Sequence, residues 1–210
     1  MDHDSTQVSA VESVGPDAVA LTIDTPEGFD ASPGQFVSLS VPESDESRFY
    51  TVSSPSVTET FEVTLTVDPE GTLAPLIAER SADDAIEVAG PFGDAHYDGQ
   101  DRPLVLAGGP GVGPAVAIAE RAVREGAEPA IVYRDAATIH RDRLDALAEQ
   151  GVPVAVLDEG TDLRDPIARA LDRDPDVVFV YGFAAFVDDI EAAVAAADGD
   201  PEDLRVENFG

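Results

Sequence analysis

The chain has 210 residues, 43 of them acidic against 12 basic, for a formal net charge of −31, and every basic residue is Arg. Phosphate backbones are gripped by clustered Lys and Arg, so this balance excludes a nucleic-acid partner and disfavours an anionic membrane surface, while 43% hydrophobic residues suffice for a sizeable core. With no Cys, a disulfide, a thiolate zinc site and a cysteine-held iron–sulfur cluster are excluded within the chain.

Met1 leads into Asp2-His3-Asp4, which is neither a basic nor an apolar leader, and no uninterrupted apolar run approaches the roughly 18 residues of a membrane span. The chain is therefore expected to be soluble and cytoplasmic, with no membrane partner and no metal site.

The first hundred residues alternate with period 2. Val8, Ala10 and then Ala18, Ala20 and Thr22 flank Gly15-Pro16-Asp17, which reads as two strands joined by a turn. Gly34-Gln35-Phe36-Val37-Ser38-Leu39-Ser40-Val41 is another alternating strand. Phe61, Val63, Leu65 and Val67, interleaved with Glu62, Thr64 and Thr66, form the clearest half-buried one. The spacing of Leu73, Leu76 and Ile77 predicts a short helix between Gly71 and Ser81, and Ile86-Glu87-Val88 returns to strand before Gly90-Pro91-Phe92-Gly93. Short antiparallel strands in this number predict an all-β barrel.

After Tyr97-Asp98-Gly99-Gln100-Asp101-Arg102-Pro103 the pattern changes. Leu104–Ala107, Ala130–Tyr133, Val152–Val156 and Val177–Tyr181 read as strands buried on both faces, alternating with helical spacing around 114–125, 139–149 and 184–197. Repeated βα units predict an open parallel sheet with ligands at the strand carboxyl ends. The boundary is placed near residue 100, giving domains over 1–100 and 101–210.

Three motifs carry chemistry. On a strand, Arg48-Phe49-Tyr50-Thr51 puts Arg48 and Tyr50 on one face and Phe49 and Thr51 on the other. A guanidinium can hold a phosphate bidentately, a Tyr ring can cover an aromatic cofactor, and a hydroxyl can bond a ring nitrogen; an edge strand with a surface Arg is the bland alternative. Gly71-Thr72-Leu73-Ala74 stands at a helix start, where free N–H groups attract an anion. Ala107-Gly108-Gly109-Pro110-Gly111-Val112-Gly113-Pro114 follows a buried strand and opens a helix, as a pyrophosphate-binding loop does, although the spacing is not G-x-G-x-x-G and a purely structural turn stays open.

In this order the motifs resemble the ferredoxin:NADP reductase superfamily, whose members join a flavin-binding barrel to a nicotinamide-binding α/β domain. The resemblance implies an FAD-dependent NAD(P)H oxidoreductase that exchanges electrons with a separate one-electron carrier such as ferredoxin, or with an oxygenase or haem component. It implies that Arg48 holds the flavin pyrophosphate, that Tyr50 packs on the isoalloxazine or ribityl chain beside Phe49, and that Thr51 bonds flavin N5, which makes Thr51 and Tyr50 the expected catalytic pair. Leu65, Thr66 and Val67 would line the flavin with their backbone, Gly71, Thr72, Leu73 and Ala74 would form the phosphate turn, and Gly90-Pro91-Phe92-Gly93 would close the barrel. Gly108, Gly109, Pro110, Gly111 and Val112 would receive NADH or NADPH, Tyr181, Gly182 and Phe183 would wall the nicotinamide pocket, and Phe209 would cover the flavin.

The chain departs from that pattern at three places. Ala74 replaces a hydroxyl residue, Pro110 replaces Thr, and Tyr181-Gly182-Phe183 stands where many members have C-G-P. A flavin-holding electron-transfer subunit of a larger dehydrogenase or oxygenase complex is the alternative these changes favour, and a flavin-free nucleotide sensor is a third. Arg134, Arg141 and Arg143 are candidates to grip a 2′-phosphate and Asp135 to bond a ribose diol, which leaves NADH and NADPH both open. His96, which could border the flavin, and His140, on a helix, both read as surface residues. The carboxylate coat without Lys is similar to that of proteins from organisms that keep molar salt in the cytoplasm, where screening shortens repulsion to about 3 Å.

Overall fold

The structure, a computed structural model, describes residues 3–210. Its first half is an antiparallel sheet built from β1 (Asp4–Gly15), β2 (Ala18–Asp24), β3 (Phe36–Ser40), β4 (Ser47–Thr51), β5 (Thr60–Thr66) and β6 (Ala85–Phe92), in the order β4-β3-β6-β1-β2-β5. Asp17 takes the left-handed conformation (φ 52°) that turns β1 into β2. β1 pairs β6 through Asp4–Gln7 and β2 through Val8–Gly15, with irregularities near Val8 and Ser13 that bend it between its two partners. The two ends of the sheet meet at a single bridge, Val52↔Val63, backed by Ser53 N–H donating to the Glu62 carbonyl at 2.8 Å. This closes a barrel over Leu21, Ile23, Val37, Leu39, Phe61, Val63 and Leu65. A five-residue helix, α1 (Ala74–Ala78), caps it with Ile77.

The second half is a parallel sheet in the order β11-β10-β7-β8-β9. Its strands are β7 (Pro103–Gly108), β8 (Ala130–Asp135), β9 (Val154–Asp158), β10 (Val177–Gly182) and β11 (Arg205–Asn208). The helices are α2 (Val112–Glu125), α3 (Arg141–Glu149), α4 (Arg164–Leu171) and α5 (Ala184–Ala196). β7 is buried throughout; Val105 and Ala107 pack towards α2 and α3, and Leu104 and Leu106 towards α4 and α5. The chain leaves β7 for β8 on one side and returns to β10 on the other, so a topological switch point lies between the carboxyl ends of β7 and β10. An antiparallel barrel followed by a parallel α/β sheet is the architecture the alternating and continuous apolar patterns call for.

Some local expectations are corrected. The strand near 152–156 is not buried on both faces: β9 is an edge strand over Val154–Asp158 and leaves Val156 41% exposed. Gly90-Pro91-Phe92 continues β6 and does not turn away from it. His140 is buried, at 5% exposure, in the left-handed conformation just ahead of α3. α4 and β11 add elements the apolar spacing does not announce. Among the described residues no helix is long and apolar enough to cross a membrane.

Candidate functional site

A cleft of about 440 Å³ opens where β4 and β5 end the barrel sheet and the switch point of the parallel sheet approaches them. Arg48, Phe49, Tyr50 and Thr51 line it from β4, Thr64, Leu65 and Thr66 from β5, and Glu70, Gly71, Thr72, Leu73 and Ala74 from the following turn; Pro110, Phe183 and Phe209 stand across from them. All four residues of the β4 motif reach the cleft although successive side chains alternate. The reason is that the cleft runs along the outer edge of β4, which among the described residues forms its full ladder with β3.

The wall changes character along its length. Tyr50 packs on the barrel core, and burial pushes its phenol up to about 12, so it stays protonated and able to donate. Phe49 is 60% exposed and sets its ring edge-on to Phe36 at 5.3 Å. Thr51 is nearly buried. At the polar end, Arg48 donates to a Glu46 carboxylate oxygen at 3.3 Å and the Thr72 hydroxyl donates to the same oxygen at 2.5 Å. The Arg48 side chain is 59% exposed, and an exposed pair of this kind contributes only about 0–1 kcal/mol, so the guanidinium is available to an anion. With α1 only five residues long, an anion here depends on Arg48 and Thr72 more than on a helix dipole. Across the cleft the Phe183 and Phe209 rings meet edge to face at 5.8 Å.

The glycine loop is used differently from the expectation. Gly109, Pro110 and Gly111 form one 3₁₀ turn between β7 and α2, and only Pro110 lines the cleft. A Cβ at Gly108 would meet the Phe186 ring at 2.6 Å, one at Gly182 the same ring at 2.7 Å, and one at Gly111 the Tyr181 carbonyl oxygen at 2.2 Å. These glycines make room for protein packing. Gly109, at φ +55° with open space beside it, is the exception, and Val112 is buried in the α2 core.

Other expected site residues also lie elsewhere. Tyr181 does not wall the cleft: it is fully buried, and its hydroxyl donates to the Ala95 carbonyl at 2.5 Å, tying the parallel sheet to the segment after β6. Val67 turns away, its N–H bonded to the Asp17 carbonyl. Arg134 is paired with Asp189 at 2.7 Å beyond the cleft, Arg141 bonds Thr138, and His96 bonds the Gly93 carbonyl.

A partly buried polar seam joins the two sheets behind the cleft, and sequence reasoning misses it. Arg143 donates to both Glu120 oxygens at 2.8 and 2.9 Å, to Glu62 at 2.9 Å and to the Ser53 carbonyl at 2.9 Å. It therefore cannot serve a 2′-phosphate as expected. Burial raises the Glu62 carboxyl above the usual range, against the pull of Arg143. His140 Nε2 lies 2.7 Å from the Thr64 hydroxyl, and burial, assisted by Arg143, lowers the imidazole from 6.5 to about 3. Gly113 allows this approach, since a Cβ there would stand 2.8 Å from the Thr64 hydroxyl oxygen. Among the described residues no group of three His, Cys, Asp or Glu side chains could hold a metal ion.

Comparison with known proteins bears on the barrel and on the overall fold. Residues 5–97 match the family model of the oxidoreductase FAD-binding domain. The chain is 32% identical over 123 residues to the toluate 1,2-dioxygenase electron transfer component of Pseudomonas putida, covering 55% of this chain and 37% of that protein. It is 28% identical over 120 residues to the propane 2-monooxygenase reductase component of a Gordonia strain, covering 54% and 35%. It thus spans little more than a third of the length of these curated relatives. Over the full length of both chains it superposes on a ferredoxin NADP+ reductase from Neisseria gonorrhoeae with a TM-score of 0.83 at 19% identity. The flavohem-like FAD/NAD binding domain of a nitric oxide dioxygenase from Vibrio cholerae gives 0.82 at 18% identity. The chain therefore carries an oxidoreductase FAD-binding domain match over its barrel and shares, from end to end, the two-sheet fold of these two solved structures.

Proposed function

We propose that this chain is an FAD-dependent oxidoreductase that takes reducing equivalents from a nicotinamide nucleotide and passes them to a separate one-electron carrier, a ferredoxin or the oxygenase or haem component of a larger system. The observation that carries this reading is the cleft itself. One end offers a guanidinium and a hydroxyl, the middle an aromatic wall of Tyr50, and the far side the switch point of a parallel sheet. That sequence of surfaces fits an anionic, then sugar-like, then flat ring-bearing ligand. In this reading residues 1–100 hold the flavin and residues 101–210 the nucleotide. Arg48 and Thr72 bind the pyrophosphate, Tyr50 stacks on the ring system, Thr51 offers its hydroxyl to the ring nitrogen, and Phe183 with Phe209 shields the reacting face from water. The flavin, once bound, supplies the conversion between hydride and single-electron transfer. With no Cys in these 210 residues, a thiolate-held iron–sulfur centre of the carrier lies outside them.

The flavin-holding subunit with little nicotinamide activity is the second reading, favoured by the packing of Gly108, Gly111 and Gly182 against protein atoms. One experiment separates the two. Protein incubated with FAD in molar KCl and desalted is expected to be yellow, and to bleach when NADH or NADPH is added without oxygen. Flavin retained but unreduced supports the subunit reading, and no retained flavin overturns both.

The carboxylate coat fits a protein of a salt-rich cytoplasm. Dilution from molar salt to about 0.01 M lengthens the screening distance to about 30 Å, so the melting temperature is expected to fall; an unchanged melt refutes the adaptation.

A further inference from the structure

NADH and NADPH differ by one phosphate on the adenosine ribose, and a site for that dianion needs a cation that is not already engaged. Two of the cations at the carboxyl edge of the parallel sheet, Arg134 and Arg164, are held by carboxylates, and a third, Arg141 at the start of α3, bonds the Thr138 hydroxyl and does not line the cavity beside Arg134. Gly108, which leads into the glycine loop, lies in register with Arg134 on β8. From there a second cavity of about 530 Å³ opens between the end of β8, the segment that follows β9, and α5, lined among others by Arg134, Asp162, Arg164 and Asp189.

Arg134 is only 14% exposed, donates to Asp189 at 2.7 Å, and lies over the Phe186 ring with its guanidinium carbon 5.2 Å from the centroid. Stacking on one side and a carboxylate at its tip hold it in place. Arg164 grips both oxygens of Asp162 at 2.6 to 3.1 Å. Asp135 and Asp158 end the two neighbouring strands in register, and Glu159 follows, so the same edge carries further negative charge. A 2′-phosphate would have to take Arg134 from Asp189 among these carboxylates, whereas a ribose diol would not.

We propose that the nucleotide is NADH, and that Asp189 is the positioning residue that withholds Arg134 from a 2′-phosphate. The inference rests on the nicotinamide reading above. Its test is calorimetric, on the whole FAD-loaded chain at fixed salt, with ADP-ribose and 2′-phospho-ADP-ribose as probes, together with KM for NADH and NADPH.

The wild type is expected to bind the unphosphorylated probe about tenfold more tightly. Asp189→Asn should bring the two affinities within about threefold, by tightening the phosphorylated probe. Asp189→Glu, which keeps the carboxylate, should restore the discrimination, and adding Arg134→Ala to Asp189→Asn should abolish the gain. Equal or inverted affinities in the wild type, or an Asp189→Asn ratio that does not move, overturn the inference while a nucleotide-reduced flavin leaves the proposed function standing. Failure of both probes to bind and of both nucleotides to reduce the flavin overturns the two together.

Discussion

The cleft and the seam behind it share strand β5 but use their arginines in opposite ways. Arg48 in the cleft is largely exposed, donates to one Glu46 carboxylate oxygen at 3.3 Å and to the neighbouring Ser47 carbonyl at 3.1 Å, and exchanges the carboxylate contact at little cost. Arg143 in the seam is 22% exposed and makes four hydrogen bonds to two carboxylates and a carbonyl. In a chain with 12 cations against 43 carboxylates, few guanidiniums can be spared. The difference teaches that exposure and partner number, not charge, separate an arginine that can exchange its partner from a structural one. Residue type and spacing give the two the same appearance.

Removing Arg143 should break the comparison most severely. Arg143→Leu leaves Glu62 and Glu120 facing each other in the seam without a counter-ion, and stability is expected to drop by about 3 kcal/mol, measured by denaturant titration at molar salt. A loss below about 1 kcal/mol would mean that the seam is as dispensable as a surface pair.

His140 comes next. Its folded pKa of about 3 lies below the ordinary 6.5, so above 6.5 both states are neutral and nothing is lost. As pH falls below 6.5 the unfolded chain gains a proton that the folded seam refuses until about pH 3. Between pH 7 and 5 this should cost about 2 kcal/mol, seen as the difference between the wild type and His140→Gln so that relief of carboxylate repulsion cancels. Parallel pH profiles would show that the imidazole is reached by water.

The smallest expected effect on the fold is at Arg48. Arg48→Ala should leave the melting temperature of flavin-free protein nearly unchanged and weaken FAD retention by about tenfold, as loss of one charge-assisted phosphate contact of about 1–2 kcal/mol implies. A destabilised fold with unchanged retention would move Arg48 into the structural class beside Arg143.

Much of the architecture can be read from the residues because it depends on local pattern. Phe61, Val63 and Leu65 alternate into the barrel core, and the apolar run Leu104–Ala107 ends in glycines and a helix at the places observed. α4 eludes that reading because its eight residues, with Pro166 in the first turn and three charges, show little apolar stripe. β11 is four residues long with charged Arg205 and Glu207. The cleft motif is legible because Arg48, Tyr50 and Thr51 are adjacent in sequence. The seam is not, because Thr64 meets His140 across 76 positions and Glu62 meets Arg143 across 81, and nothing local marks either residue as buried. Tyr181 is misplaced for a related reason. A strand-end tyrosine looks alike whether it faces a ligand or, as here, a carbonyl 86 residues away.

The barrel closes on one backbone bridge, Val52↔Val63, and among the described residues leaves the remaining outer edges of β4 and β5 without a strand partner. In a β protein such rows of free N–H and C=O groups are where a foreign strand adds on. Here they border the cleft, with Pro110 and Phe183 standing across the opening. A neighbouring chain finds no straight edge to extend at this end of the barrel. The shape that makes room for a ligand therefore also leaves a second copy little straight edge to pair with at this end of the barrel.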